Sequence, residues 1–165
     1  TGRYIAMRFL VKPLDFPNAF MYGAGHGGVE AMLLCSVASI SNIASAVMIN
    51  SGTMSAQLAT LDAEKAADTA AALSALWTTP SLTFFAGGVE RIIAVVLHLS
   101  LSILVFQSIR KKSQKDLLNA YLFHFVIDSL SVLLSAVASV WVVELVTALV
   151  TGGAVLMARY ACMEE

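Results

Sequence analysis

The chain has 165 residues, of which 58% are hydrophobic and only 13% charged, and its formal net charge at pH 7 is −1. A soluble domain usually carries about twice that share of charged residues, so the composition excludes an ordinary water-soluble fold and favours a protein embedded in a lipid bilayer. The balanced charge also argues against a nucleic-acid partner, because no basic face is available to neutralise phosphates.

The hydrophobic runs predict an all-α fold, a polytopic transmembrane helix bundle that forms a single transmembrane domain over residues 1–165. Residues 1–13 have the pattern of the tail of an earlier helix, and because Thr1 opens in mid-pattern we expect further helices before it. Each predicted span has about 20 or more residues, enough to cross a hydrocarbon core of ~30 Å. The four spans cover residues 18–50, 80–109, 116–140 and 141–162.

Turn and cap signals mark the ends of these spans. Asn50 is followed by Ser51 and Gly52, a combination that stops helices. Pro80 suits the first turn of the second span. Ser113 stands three residues before Asp116 in the form of a capping box, which predicts that the third helix starts there.

The basic residues predict the orientation of the spans. A cluster at Arg110–Lys115 lies between spans two and three, and loops rich in Lys and Arg face the cytoplasm. Alternation of the spans then places Arg3, Arg8 and Lys12 on the same cytoplasmic side. We therefore expect a multi-pass protein of the inner, or plasma, membrane, surrounded by membrane lipids.

Residues 52–79 are predicted to lie on the outer side. Five apolar side chains in this loop are spaced for one face of a helix, which favours an amphipathic helix lying on the membrane interface. The alternative is a flexible, alanine-rich linker. The five are Leu58, Leu61, Leu73, Leu76 and Trp77.

Ionisable side chains inside membrane spans are costly and usually functional. In the first and third spans a histidine precedes a carboxylate by four residues, so the two share a helix face. Counted at a rise of about 1.5 Å per residue, the three histidines lie roughly 12 to 18 Å from the cytoplasmic edge, and so do Glu30 and Asp128. Glu90 and Arg91 lie outside this range. The full set is His26, Glu30, Glu90, Arg91, His98, His124 and Asp128.

Histidines and carboxylates at one depth suit a zinc ion with an open position for water. We predict His26, His98, His124 and Asp128 as metal ligands, with Glu30 as general base. His98 and His124 are the first candidates for binding the metal or positioning the water, so Glu30, His98 and His124 form the predicted catalytic set. The alternative is interhelical hydrogen bonding that only stabilises the bundle.

Glu90 and Arg91 lie nearer the outer half of the second span. We predict that Glu90 and Arg91 form a structural ion pair or contact the side chains that bind the metal without binding it themselves. Glu144 lies near the end of the last span and is expected to be solvated.

Four glycines surround His26, at positions 23, 25, 27 and 28. Small residues in a membrane helix allow a neighbouring backbone to approach closely, and close packing is our interpretation. The alternative is that they loosen the helix locally to admit a substrate strand.

Three motifs in order carry a resemblance to a known family. They are the run GAGHGGVEA at 23–31, Glu90-Arg91 followed by His98, and the run HFVID at 124–128. Together they resemble the YhfC-type intramembrane peptidases, which are in turn similar to the CAAX-protease and bacteriocin-processing (CPBP) superfamily. The resemblance covers nearly the whole chain.

The superfamily pattern implies roles for particular residues. His98 takes the place of the histidine of the second motif, although Ala94 stands where an aromatic residue is usual. His124 and Asp128 take the third motif, with Asp in place of Asn. The first motif would end at Arg3-Tyr4, which puts its glutamate pair before Thr1; otherwise Glu30 supplies the key carboxylate. The resemblance leaves open whether a metal is used or whether glutamate and histidines activate water directly.

We therefore predict an intramembrane peptidase, metal-dependent with zinc, acting on a peptide or membrane-protein substrate. Two rival functions remain. One is a proton-coupled membrane transporter, since buried His, Asp and Glu groups also form proton relays, and the other is a non-catalytic membrane scaffold. The shared, one-sided depth of five ionisable groups favours the peptidase, because a transporter needs access from both faces.

Overall fold

The computed structural model describes residues 2–163, and within that range it contains seven α-helices and no strand. The all-α fold predicted from the hydrophobic runs is confirmed. The helices are α1 Gly2–Phe9, α2 Phe16–Asn50, α3 Thr53–Leu58, α4 Ala63–Thr78, α5 Ser81–Lys111, α6 Gln114–Ser135 and α7 Val140–Met163.

Four of these helices, α2, α5, α6 and α7, are long and apolar enough to cross a membrane. They are the four predicted spans with slightly different ends. The largest difference lies between α6 and α7, where the helical path breaks at 136–139, before the expected junction at 140/141. This segment contains no Gly or Pro, so the composition did not mark it. Its backbone closes a turn through the amide of Ala138, which donates to the carbonyl of Leu134 at 2.8 Å.

Side-chain caps mark the starts of α6 and α4. Ser113 is the N-cap of α6, where its hydroxyl accepts from the amide of Asp116 at 3.3 Å, and this confirms the predicted helix start. Asp62 caps α4 by accepting from the amide and the ammonium group of Lys65 at 2.9 and 2.8 Å. The side-chain contact with Lys65, followed by the backbone one, holds the pKa of Asp62 below its usual value. The segment 52–79, predicted to lie on the outer side, thus contains the two helices α3 and α4.

The chain divides into two compact units, one made of residues 1–31 with 85–165 and the other of residues 32–84. The larger unit, 1–31 with 85–165, holds every ionisable group predicted at the site. Its centre is α5, whose most apolar stretch is 56% buried, against 22% or less for the other three spans. Leu101 and Leu104 of α5 are completely buried, as is Met7 of α1.

Small residues let the neighbouring helices pack closely on α5 and on each other. Ala19, Gly23 and Gly27, four residues apart along α2, are its buried positions. On α7 the corresponding stripe is Ala154, Ala158 and Ala161, and the carbonyl of Ala161 accepts from Lys111 Nζ at 2.5 Å. Without large side chains between them, helix backbones approach and gain dispersion contacts.

Candidate metal centre

His26 and Glu30 lie on one face of α2, and α5 presents His98 to them. The approach depends on Gly27, because a Cβ atom there would lie 3.1 Å from His98 Cβ and 3.1 Å from Val95 Cα. Gly23 makes a similar contact one turn earlier, whereas Gly25 and Gly28 have nothing within 4 Å of the corresponding position. The close-packing interpretation is therefore confirmed for Gly23 and Gly27 and is wrong for the other two glycines.

Three potential ligand atoms converge at this contact. One atom each of His26, Glu30 and His98 lies within 4.8 Å of the other two. His98 Nε2 is 3.1 Å from Glu30 Oε2, and the ring centroids of His26 and His98 are 5.0 Å apart. His98 is buried at 3% exposure, whereas the Glu30 side chain is 44% exposed. His98 is thus the buried member of the group, and Glu30 on α2 is its accessible member.

Arg3 of α1 is a neighbour of this group that the sequence analysis did not include among the site residues. Its guanidinium Nη2 donates to His98 Nδ1 at 2.7 Å. The side chain of Arg3 thus reaches His98 in the middle of α5, a contact that the sequence analysis did not predict, whereas the predicted cytoplasmic side of Arg3 stays a prediction. The one sequence signal was the resemblance, whose first motif ends at Arg3.

His124 and Asp128 of α6 stand next to the group rather than in it. The rings of His98 and His124 have their centroids 5.8 Å apart and are nearly perpendicular. His124 Nε2 is 3.4 Å from Asp128 Oδ2, and both side chains are partly exposed. Among the described residues, neither joins the three atoms that lie within 4.8 Å of one another. Their predicted role as metal ligands stays a prediction.

A cavity of about 230 Å³ adjoins the group. His26, His124 and Arg3 all line it, so polar side chains from three helices face one space in an otherwise apolar bundle. Several water molecules fit in this volume, since each occupies about 30 Å³ in the liquid. The lining residues are Gly2, Arg3, Tyr4, His26, Val105, Ala120, Tyr121 and His124.

A second polar cluster lies away from the three-residue group. Arg91 Nη2 donates to Glu90 Oε1, so the two adjacent residues form an ion pair. Glu144 of α7 is within electrostatic reach of both. Our expectation that Glu144 is solvated is wrong, since it is only 7% exposed and its Oε2 has no hydrogen-bond partner among the described residues. Its position near the start of α7 suggested exposure, but packing against the other helices covers it.

The three-residue group fits a metal of the zinc class by its donor chemistry. Two imidazoles and one carboxylate are the donors of zinc sites that keep a position open for water, and here the three ligand atoms are already close together. His26, Glu30 and His98 would hold the ion. This set shares His26 and His98 with the predicted ligands and adds Glu30, which we had predicted as the base.

Comparison with known proteins agrees with the resemblance seen in the motifs. The sequence profile of the YhfC intramembrane metalloprotease family matches residues 1–147. The uncharacterized membrane protein YhfC of Bacillus subtilis (strain 168) is 38% identical over 124 residues, which cover 74% of this chain and 47% of that protein. The chain thus spans about half the length of this curated relative. No solved structure matches the chain.

Proposed function

The chain belongs to the YhfC intramembrane metalloprotease family, and we propose that it carries the metal site of a peptidase that cleaves peptide bonds within or beside the membrane. The observation that carries the proposal is the convergence of His26, Glu30 and His98 between two membrane-spanning helices. Ionisable groups are rarely placed inside a bilayer without a function, and these three have the donor chemistry of a catalytic zinc site.

The metal, which we propose to be zinc, would polarise the scissile carbonyl and lower the pKa of a nearby water molecule. His26, Glu30 and His98 would bind it. The burial of His98 and the close α2–α5 contact at Gly27 fix the spacing of these donors before substrate arrives. Such preorganisation is what makes a site effective, since little reorganisation is needed during the reaction.

His124 is proposed as the group that moves a proton. Asp128 Oδ2 lies 3.4 Å from His124 Nε2 and would orient the ring by accepting a hydrogen bond from that nitrogen. His124 Nδ1 would then take the proton lost by the attacking water and return it to the leaving amine. A histidine oriented by a carboxylate is a common general acid–base arrangement, and the cavity beside His124 gives water access to it.

The expected partners follow from the surroundings of the site. Large apolar side chains such as Phe125, Val132 and Leu133 of α6 are exposed on the described chain and would contact lipid or other parts of the protein. A substrate that reaches the donors between such helices would be a membrane-embedded or membrane-adjacent polypeptide. We propose a peptide or a membrane protein as the substrate class.

The proposal is tested by adding quenched fluorescent casein to the intact protein purified in detergent. We expect slow cleavage that 1,10-phenanthroline abolishes and that added zinc restores. Cleavage that persists in the chelator would contradict the metal, and absence of cleavage combined with proton uptake into liposomes would favour the proton-coupled transporter instead. The probe is a general protease substrate, so the assay does not depend on knowing the natural one.

We further propose that the protein lies in the plasma membrane with Arg110–Lys115 in the cytoplasm, because this loop carries the largest basic cluster. Single cysteines at the exposed positions Gln114 and Ala67 test this in a background of Cys35→Ala and Cys162→Ala. A membrane-impermeant maleimide added to whole cells is expected to label Ala67→Cys and to spare Gln114→Cys. The reverse labelling would contradict the orientation.

A further inference from the structure

Arg3, His98 and Glu30 form a hydrogen-bonded chain across three helices. Arg3 Nη2 lies 2.7 Å from His98 Nδ1, and His98 Nε2 lies 3.1 Å from Glu30 Oε2. A guanidinium group has only donors and keeps its proton throughout the accessible pH range. His98 Nδ1 therefore has to accept in this contact, and it carries no hydrogen.

This contact determines where the proton of a neutral His98 lies. A neutral imidazole has one N–H group, so with Nδ1 accepting from Arg3 the hydrogen is on Nε2 and is donated to Glu30 Oε2. A protonated ring nitrogen has no lone pair to offer. His98 Nε2, which faces Glu30, therefore cannot bind a metal ion while Arg3 stays in place.

A metal-binding histidine normally shows the opposite pattern. It donates its second ring N–H to a carboxylate, a carbonyl or a water molecule, which fixes the ring and makes the ligating nitrogen more basic. At His98 the corresponding position is occupied by a donor, Arg3. In this arrangement the guanidinium would oppose metal binding, because it selects the tautomer with a protonated Nε2 and places a positive charge beside the donor atoms.

We infer that Arg3 is a positioning residue that holds His98 in its metal-free tautomer, so that metal uptake requires Arg3 to leave His98 Nδ1. The inference rests on the proposed metal site. Two observations make the movement feasible. Arg3 lines the cavity of about 230 Å³, which has room for the displaced guanidinium, and among the described residues its buried Nε has no hydrogen-bond partner that would hold the group on that side.

The substitution Arg3→Gln tests the inference, because a glutamine amide oxygen can accept from His98 Nδ1–H as metal-ligand partners do. Cobalt(II) is titrated into the intact protein in detergent, and binding is followed by the visible absorption bands of the ion. We expect Arg3→Gln to bind cobalt about 10- to 100-fold more tightly than the unmodified protein. This is the typical change in metal affinity when the hydrogen-bond partner of a metal-binding histidine is altered.

Arg8→Gln is the matched control. Arg8 lies on the same helix and hydrogen-bonds to Tyr4 at 3.0 Å in an exposed position, so its loss removes one charge without touching His98. It is expected to leave cobalt affinity unchanged. Equal tightening by both substitutions would show a general charge effect and overturn the inference. Equal affinity of Arg3→Gln and the unmodified protein would also overturn it while leaving the metal site intact.

Absence of cobalt binding in every form, Arg3→Gln included, would instead remove the metal site itself, and this inference with it. A measurement that needs no variant tests the tautomer directly. In the metal-free protein labelled with ¹⁵N-histidine, His98 is expected to show a protonated Nε2 and an unprotonated Nδ1. The opposite tautomer would overturn the inference.

Discussion

His98→Ala is expected to lower casein cleavage by about 10³-fold or more, since a larger loss follows from removing a metal ligand than from removing a single stabilising donor. The ring of His98 contacts Arg3, Glu30 and both other histidines. His98 is buried at 3% exposure beside α2, so its removal takes away the buried member of the three-residue group. The initial rate of casein cleavage measures the effect.

Ser100→Ala is the control for this substitution. Ser100 is buried on the same helix, and its hydroxyl donates to the carbonyl of Val96 at 2.9 Å within α5, away from the three-residue group. Its loss is expected to leave the rate within about twofold. Both variants should keep the circular dichroism and the elution volume of the unmodified protein. A folded His98→Ala protein that cleaves casein at the full rate would contradict the site.

Gly23→Ala is expected to destabilise the protein by about 1–3 kcal/mol, the usual cost of overpacking a tight contact. The added Cβ would lie 2.9 Å from Leu99 Cα and 2.9 Å from Ser102 Cβ. The first of these is backbone, so α2 has to move away from α5. That movement would also separate His26 and Glu30 from His98 and lower activity. Thermal unfolding in detergent measures the loss of stability.

Gly28→Ala separates packing from helix propensity. Nothing lies within 4 Å of a Cβ atom built at Gly28, and alanine in a helix interior is favoured over glycine by roughly 0.5–1 kcal/mol. Gly28→Ala is therefore expected to be neutral or slightly stabilising. If Gly23→Ala and Gly28→Ala raise the unfolding temperature equally, the α2–α5 contact at Gly23 does not limit the packing of these helices.

The helices and the level of the site could be predicted because both depend on local patterns. Long apolar runs have no stable form in a bilayer other than a helix or a barrel, and Ser113 marked one helix start. Counting residues from the basic cluster predicted one depth for the histidines, and the structure places the rings of His26 and His124 at 5.0 and 5.8 Å from that of His98.

The choice of which side chains meet depends on packing that no local pattern contains. Glu30 joins His98 because Gly27, and not Gly28, faces α5, and the two glycines look alike in the sequence. The basic residues Arg3, Arg8 and Lys12 were distinguished only by their predicted side of the membrane, and it is the packing of α1, with Met7 fully buried, that brings Arg3 to His98. Glu144 is covered by tertiary contacts in the same way.

The metal content of the intact protein tests the central claim most directly. After equilibrium dialysis against zinc, the unmodified protein and Ser100→Ala are expected to hold about one zinc ion per chain, as a site with three protein ligands would. His98→Ala is expected to hold none, because His98 is the one proposed donor that is fully buried and lies 3.1 Å from Glu30. Zinc retained in full by His98→Ala, or absent from all three proteins, would contradict the account.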